Sequence, residues 1–384
     1  MIDTFLGAPT ADDWRTYSPI LRAKPSEWQA LKQLTPGVRQ RIAPIVEFIP
    51  DWEPPGASTT GRKRRAPQTP AEYVAQVLAF SVAATPAGTR SFIYFGLAQP
   101  GAIWSGIDLW SEYATRVPAR TRVIPLTDLA SLASAAAVPD IALTRGELGI
   151  RLGFDDVGPQ FASRITAALA PKGLGPGGVH IVVDLKDAPV AMSHAQVRTA
   201  LGNANQYASV VVLAGVFPPD LTRYQPGVAS EPRTEWTTWW REHVTTPTNE
   251  RMLAFGDYTT QCARYQLSPK VPGSVSLRYT NDDAVLVFRG RQSNNSTGLG
   301  HDQMHGHCRL LMARPDYDGA AFSWGDQRIS CWTDPANGTG HHVQWRTASV
   351  VHHITHVVTQ LQDQVGSSAS AREWARVQPN DPCR

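Results

Sequence analysis

The chain has few of the features by which a sequence announces its chemistry. Its 384 residues hold only four cysteines, Cys262, Cys308, Cys331 and Cys383, widely spaced and without a CxxC pair. That excludes a disulfide scaffold and fits a reducing compartment. Charge of one sign is not in excess, since a formal net charge of +3 is too small by itself to declare a nucleic-acid partner. No apolar run approaches the ~20 residues that a membrane helix needs. The N-terminus carries Asp3, Asp12 and Asp13 and no apolar signal-peptide core. These absences predict a cytoplasmic protein with no membrane partner. There is no GxxxxGK[ST], GxSxG or HExxH motif either, so P-loop nucleotide hydrolysis, serine-hydrolase chemistry and zincin chemistry find no support.

What is present is an alternation. Eight short β-like segments, Ser18–Ala23, Ala43–Phe48, Ser91–Phe95, Arg122–Leu126, Glu147–Leu152, Val179–Leu185, Ser209–Ala214 and Met252–Phe255, are each followed by a stretch that reads as helix. Strands alternating with helices imply βαβ units and a parallel sheet. Eight without a break point to an α/β fold closed as a TIM-like (β/α)8 barrel, whose chemistry gathers just past the strand C-termini. Ser26-x-x-Gln29 reads as a capping box opening the first helix. The loop Pro50–Pro70 is long, Pro/Gly/Ser/Thr-rich and carries the basic run Arg62-Lys63-Arg64-Arg65. Trp236, Trp239 and Trp240, at i, i+3 and i+4, read as a packing stripe.

After Phe255 the pattern changes. Val275–Tyr279 and Ala284–Arg289 flank a polar turn and read as a β-hairpin. A His-rich helix from Asp302 to Ala313 and a last amphipathic helix from Thr347 to Gln362 follow. The organisation expected is a barrel core over 1–256, a lid-like insertion or small α+β subdomain over 257–343, and a terminal helix closing the barrel, with a tail, over 344–384.

Several of these segments resemble the satellite-phage Beta protein family. They are Tyr17-Ser-Pro-Ile-Leu-Arg-Ala-Lys24, Pro44-Ile-Val-Glu47, Phe255-Gly-Asp-Tyr258, Val287-Phe-Arg-Gly-Arg291, Phe322-Ser-Trp-Gly-Asp326, and Trp345-Arg346 with His352-His353-Ile354. The resemblance implies a component of a phage-defence or toxin-neutralising cluster that restrains a toxic protein partner. It supplies no catalytic residue set.

The residues themselves offer four candidate chemistries. Lys24, Glu47, Asp184 and Asp257 lie at or just past strand ends, as do Asp128 and Asp155. Converging carboxylates there could hold Mg²⁺ or divide general acid and base roles, with Lys24 and Arg22 fixing a phosphate. The plainer alternative makes Glu47 and Asp184 buried ion-pair partners of Lys24 and Lys186. Arg289 and Arg291, around Gly290, could clamp a phosphate in the bidentate way arginine favours, joined by Arg64 and Arg65. His301, His305, Cys308 and His352 have the composition of a metal cluster, weighed against ordinary satisfied histidines. The leading expectation is a barrel binding a phosphate-bearing ligand, nucleotide or nucleic acid. The alternatives are a metal-dependent phosphodiesterase or nuclease, and a protein-interaction module using exposed aromatics such as Trp324 and Trp332.

Overall fold

A computed structural model describes residues 13–49, 69–98, 107–134, 137–158, 160–170, 173–189, 193–247, 249–265, 274–293 and 300–363. The basic run Arg62–Arg65, with the ligand candidates Arg64 and Arg65, lies outside them. Strands β1 (Ser18–Arg22), β2 (Ile45–Glu47), β3 (Ser91–Tyr94), β4 (Val123–Asp128), β5 (Leu148–Gly153), β6 (Val179–Asp184), β7 (Ser209–Ala214), β8 (Gly227–Pro232) and β9 (Ala254–Asp257) follow one another. All but β8 close a parallel barrel in the order β1-β2-β3-β4-β5-β6-β7-β9. The expected eight-stranded α/β barrel is therefore what the chain forms.

Alternation along the strands decides what fills the barrel. Ile20, Ile45, Phe92, Ile124, Val182, Val211 and Ala254 form one buried interior cluster. Gly256 belongs to the same phase, and a Cβ there would meet Leu213 Cδ2 at 2.1 Å and the Ser18 carbonyl at 2.6 Å. The interior is packed, not hollow.

Strand β8 leaves the barrel to join β10 (Ser274–Thr280) and β11 (Ala284–Gln292) in an antiparallel sheet ordered β10-β11-β8. The hairpin was legible, but β8 was not. It is largely exposed and its polar sequence shows no apolar alternation.

The helices are α1 (Pro25–Gln33), α2 (Pro36–Arg39), α3 (Pro70–Ala83), α4 (Leu109–Arg116), α5 (Leu129–Ser134), α6 (Ala137–Arg145), α7 (Phe161–Leu169), α8 (His194–Leu201), α9 (Thr234–Val244), α10 (Gln303–Met312), α11 (Trp324–Cys331) and α12 (His342–Asp363). The capping box expected at Ser26 does not form. Pro25 occupies the first turn, which moves the N-cap to Lys24, whose side chain makes no cap bond. True boxes open α3 at Thr69/Glu72 and α8 at Ser193/Gln196. Cys262 and Cys308 are free thiols. No described helix is long and apolar enough to cross a membrane.

Helix α12 joins the two bodies. Its residues from Thr347 to Thr359 are all buried. Val350, Val351, Ile354, Val357, Val358 and Leu361 pack on Tyr17, Leu21 and Phe255 of the barrel wall and on Trp236 and Trp239 of α9. Trp345 and Ala348 pack instead on Val275, Leu277 and Phe288 of the accessory sheet and on Ile329 and Trp332. Trp332 is thus core, which corrects its expected exposure, and Trp324 is partly buried.

Two adjacent histidines serve the two sides. His352 donates from Nδ1 to Asp326 Oδ2 at 2.9 Å and from Nε2 to the Thr280 carbonyl at 2.7 Å. His353 Nε2 lies 3.0 Å from Asp257 Oδ2, and Thr280 Oγ1 lies 2.8 Å from its Nδ1. Asp257 also accepts from the Tyr17 hydroxyl and, at 2.7 Å, from the Thr259 amide. Burial acts against a charge on His352, but Asp326 outweighs it and holds the imidazole above its ordinary pKa. For His353 burial prevails and the pKa is lowered.

A histidine with a raised folded-state pKa contributes stability in full below its unfolded value of ~6.5 and loses it as pH rises through the raised value. His352→Ala is expected to cost about 3–5 kcal/mol, since it leaves the carboxylate of Asp326 buried without its cation. Urea denaturation between mildly acid and alkaline pH should show the difference from wild type shrinking as pH rises. A pH-independent difference would mean that His352 is held neutral.

Candidate functional site

At the C-terminal end of the barrel the inward phase turns polar. Arg22, Glu47, Tyr94, Arg151, Asp184 and Tyr258 replace the apolar residues of the layer beneath. Arg151 is the centre of this layer. Its Nη1 lies 2.7 Å from Glu47 Oε1, and its Nη2 lies 2.7 Å from Asp184 Oδ2 and 2.8 Å from the Tyr258 hydroxyl. Tyr258 donates to Asp184 Oδ2 at 2.8 Å, and Tyr94 places its ring 4.5 Å from the guanidinium carbon. Arg22 Nε stands 3.4 Å from Glu47 Oε2, and its Nη2 donates to the Cys262 carbonyl at 2.8 Å. Burial opposes the charge on Arg151, yet Tyr258, Asp184 and Glu47 together hold its pKa above the ordinary value. Burial also raises the Tyr258 phenol. Two arginines face two carboxylates, so the layer is close to neutral.

The corner after β7 and β9 is different. Thr259 follows Asp257 with φ of 55°, a left-handed conformation rare for a β-branched residue. Among the described residues the Thr259 Oγ1, the Thr260 Oγ1 and the Tyr265 hydroxyl are buried without a hydrogen-bond partner. Arg278, from β10, reaches over this loop to donate to the Thr260 carbonyl, and its guanidinium lies 4.4 Å from the Phe217 ring of the loop after β7. Among the described residues no carboxylate lies within ion-pair distance of Arg278. Burial, and then the like charge of Arg346 on the first turns of α12, lower its pKa. Arg22 and Lys24 approach the Tyr265 ring at 5.3 and 5.5 Å. The nearby carboxyl of Glu27 accepts from Gln261 Nε2 at 2.8 Å, and burial raises its pKa.

The sequence candidates separate on this frame. Glu47 and Asp184 come together, but through Arg151; Lys186 meets Asp184 with its backbone amide, at 3.0 Å from Oδ1. Lys24 sits at the edge of the mouth and Arg22 within it. Asp257 points outward through the barrel wall to Tyr17 and His353. Asp128 caps α5 by accepting from the Ser131 amide at 2.6 Å. Arg289 is spent in the accessory sheet on the Tyr224 carbonyl, and Arg291 is exposed, with its amide on Gln303 Oε1 at 2.7 Å.

The metal candidates do not converge. His305 Nδ1 lies 2.6 Å from the Trp332 carbonyl. His301 stands among His342 and Trp345. Cys308 is buried in the accessory core, where burial pushes its thiol up to about 12. His352 is engaged with Asp326.

Arg151, Tyr94, Tyr258, Arg278 and Arg346 were missed. Arg151 had a usable signal, a charge at an inward position of a strand. Arg278 had none, because Ser276 and Arg278 alternate along β10 as an ordinary solvent face would.

Eight parallel strands, outer helices and a polar layer at the strand C-termini define a TIM-like α/β barrel protein with a capping sheet. Its affiliation is narrower than that. The chain belongs to the Beta protein family, whose family model matches residues 17–359, from the approach to β1 nearly to the end of α12. No curated protein and no solved structure matches it.

Glu47→Ala tests the central layer. It frees one face of a buried guanidinium, so a loss of about 3–5 kcal/mol is expected in equilibrium denaturation. Unchanged stability would mean that the carboxylate is held for a ligand and not for the fold.

Proposed function

We propose that this is a binding protein whose barrel mouth takes a phosphate-bearing ligand, a nucleotide or a nucleic-acid end, at the corner between the seventh and eighth barrel strands. The observation that carries the reading is Arg278, a guanidinium with no carboxylate at ion-pair distance among the described residues, set beside a loop with three buried hydroxyls that have no partner among them. Each such hydroxyl costs about 1–3 kcal/mol when nothing meets it. A phosphate supplies several acceptor oxygens and the negative charge that Arg278 lacks. The loops after the seventh and eighth strands are also where barrels of this kind commonly hold phosphate.

The competing reading, a Mg²⁺-dependent phosphodiesterase using Glu47, Asp184 and Asp257, has less behind it. Arg151 stands between Glu47 and Asp184 where a shared cation would stand, and Asp257 faces the other side of the wall. Binding without turnover is what this geometry favours. Restraint of a toxic partner in a phage-defence cluster rests on family membership, and co-purification with neighbouring gene products tests it.

Titration calorimetry with inorganic phosphate, ATP and a short single-stranded DNA tests the ligand class. Arg278→Gln is expected to weaken binding at least about tenfold, the ~1.5–3 kcal/mol of a hydrogen bond to a charged group, without lowering stability. Equal affinity in the variant, or no binding of any of the three, overturns the reading.

A further inference from the structure

A second cleft, of about 400 Å³, lies further along α12, on the opposite side of the His352–His353 pair from Arg346. The β10–β11 turn, the segment before α11 and the last turns of α12 enclose it, and Asp282, Asp283, Asp316, Asp318 and His356 are in its lining. Acidic side chains alone would not make a site. His356 is the independent observation. It is 7% exposed, yet its Nε2 is buried without a hydrogen-bond partner. Its Nδ1 lies 3.1 Å from Asp318 Oδ2, so with that nitrogen donating to the carboxylate the lone pair is on Nε2. Asp282 Oδ1 stands 3.3 Å from Nε2, at ion-pair distance, and accepts from Gln360 Nε2 at 3.0 Å, which leaves that oxygen a second lone pair.

This is the arrangement of a metal-binding imidazole. A ligating histidine usually gives its other N–H to a carboxylate, which fixes tautomer and ring orientation. Two donors each ~2.0 Å from a tetrahedral ion lie about 3.3 Å apart, and that is the separation between His356 Nε2 and Asp282. His352 is near as well, since Asp318, His352 and His356 can bring ligand atoms within 4.8 Å of one another. Both His352 nitrogens are already committed, one to Asp326 and one to the Thr280 carbonyl, so it is not counted as a ligand. Asp316 is tied to Arg314 at 2.8 Å and to Asn281 at 2.8 Å. We propose that the cleft is a site for a divalent transition metal such as zinc or manganese. His356 Nε2 and Asp282 are the protein ligands, Asp318 orients the imidazole, and water completes the shell. Mixed nitrogen and oxygen donors suit these ions better than magnesium or calcium, which favour oxygen alone. The ion would tie the accessory hairpin to the end of α12, away from the barrel mouth and independently of what binds there.

The full chain, stripped with chelator, is titrated with zinc chloride and with manganese chloride by calorimetry, with melting followed in parallel. One ion per chain and a raised melting temperature are expected. Asp282→Asn, at a side chain that is mostly exposed, should weaken binding at least about tenfold while leaving the metal-free melting temperature in place. Asp318→Asn should weaken it by about 10–100-fold through loss of the orienting carboxylate. Binding of neither metal, or equal affinity in Asp282→Asn and Asp318→Asn, overturns the proposal. In the first case His356 only bridges the two aspartates; in the second the ion sits elsewhere.

Discussion

The structure depends on a helix with no solvent face along most of its length. Helix α12 is buried from Thr347 to Thr359, which an apolar helix could manage by packing alone. This one carries His352 and His353, and neighbouring residues on a helix point about 100° apart. Each imidazole must therefore be satisfied by a different body. Asp326 and the Thr280 carbonyl meet His352 from the cap, while Asp257 and Tyr17 meet His353 from the barrel. Thr280 touches both rings. Rotating or sliding α12 would strand two buried imidazoles and two buried carboxylates together, so the polar contacts fix a docking geometry that apolar packing would leave adjustable.

The same economy of charge organises the barrel mouth. Two carboxylates, Glu47 and Asp184, buried in one packed layer call for a cation beside them. Arg151 supplies one that is planar and able to address both at once, with Tyr258 and Tyr94 closing the remaining sides. The layer is a plug that seals the barrel. Just beside it the compensation stops. Among the described residues Arg278 has no carboxylate at ion-pair distance and feels the like charge of Arg346, and three hydroxyls lie buried without partners. A structure that balances its charges closely elsewhere leaves this corner open, which is the physical basis for placing the ligand there.

Much of the fold was legible because short apolar β-like runs alternating with helical stretches have few other solutions. All eight barrel strands were readable to within a few residues at each end, and so was the hairpin. The strand Gly227–Pro232 was not, since an exposed edge strand held by backbone pairing to β11 needs no apolar pattern. The site was legible only in part. Strand ends name the mouth, so Arg22, Glu47 and Asp184 were found there. Sequence position does not tell whether a residue past a strand end points in or out, and one residue decides it. Tyr258 enters the barrel, and Asp257 leaves it. Arginines on β10 and α12 reach the mouth only through the tertiary packing of the cap, which no local pattern records.

Asp257 still belongs to the working of the site, though from outside the barrel. Its carboxylate accepts the Thr259 amide at 2.7 Å, and Thr259 is the residue held in the left-handed region. Such a conformation costs about 1–3 kcal/mol and persists only where the surroundings over-determine it. Here the surroundings are Tyr17 and His353, which bind the same carboxylate from the far side. The loop that presents the unpartnered hydroxyls is thus anchored, through one aspartate, to the helix that also positions the cap and Arg346. Ligand contacts from the barrel loop and from the cap are set by one element. A change in how α12 docks would reach the mouth from both sides at once.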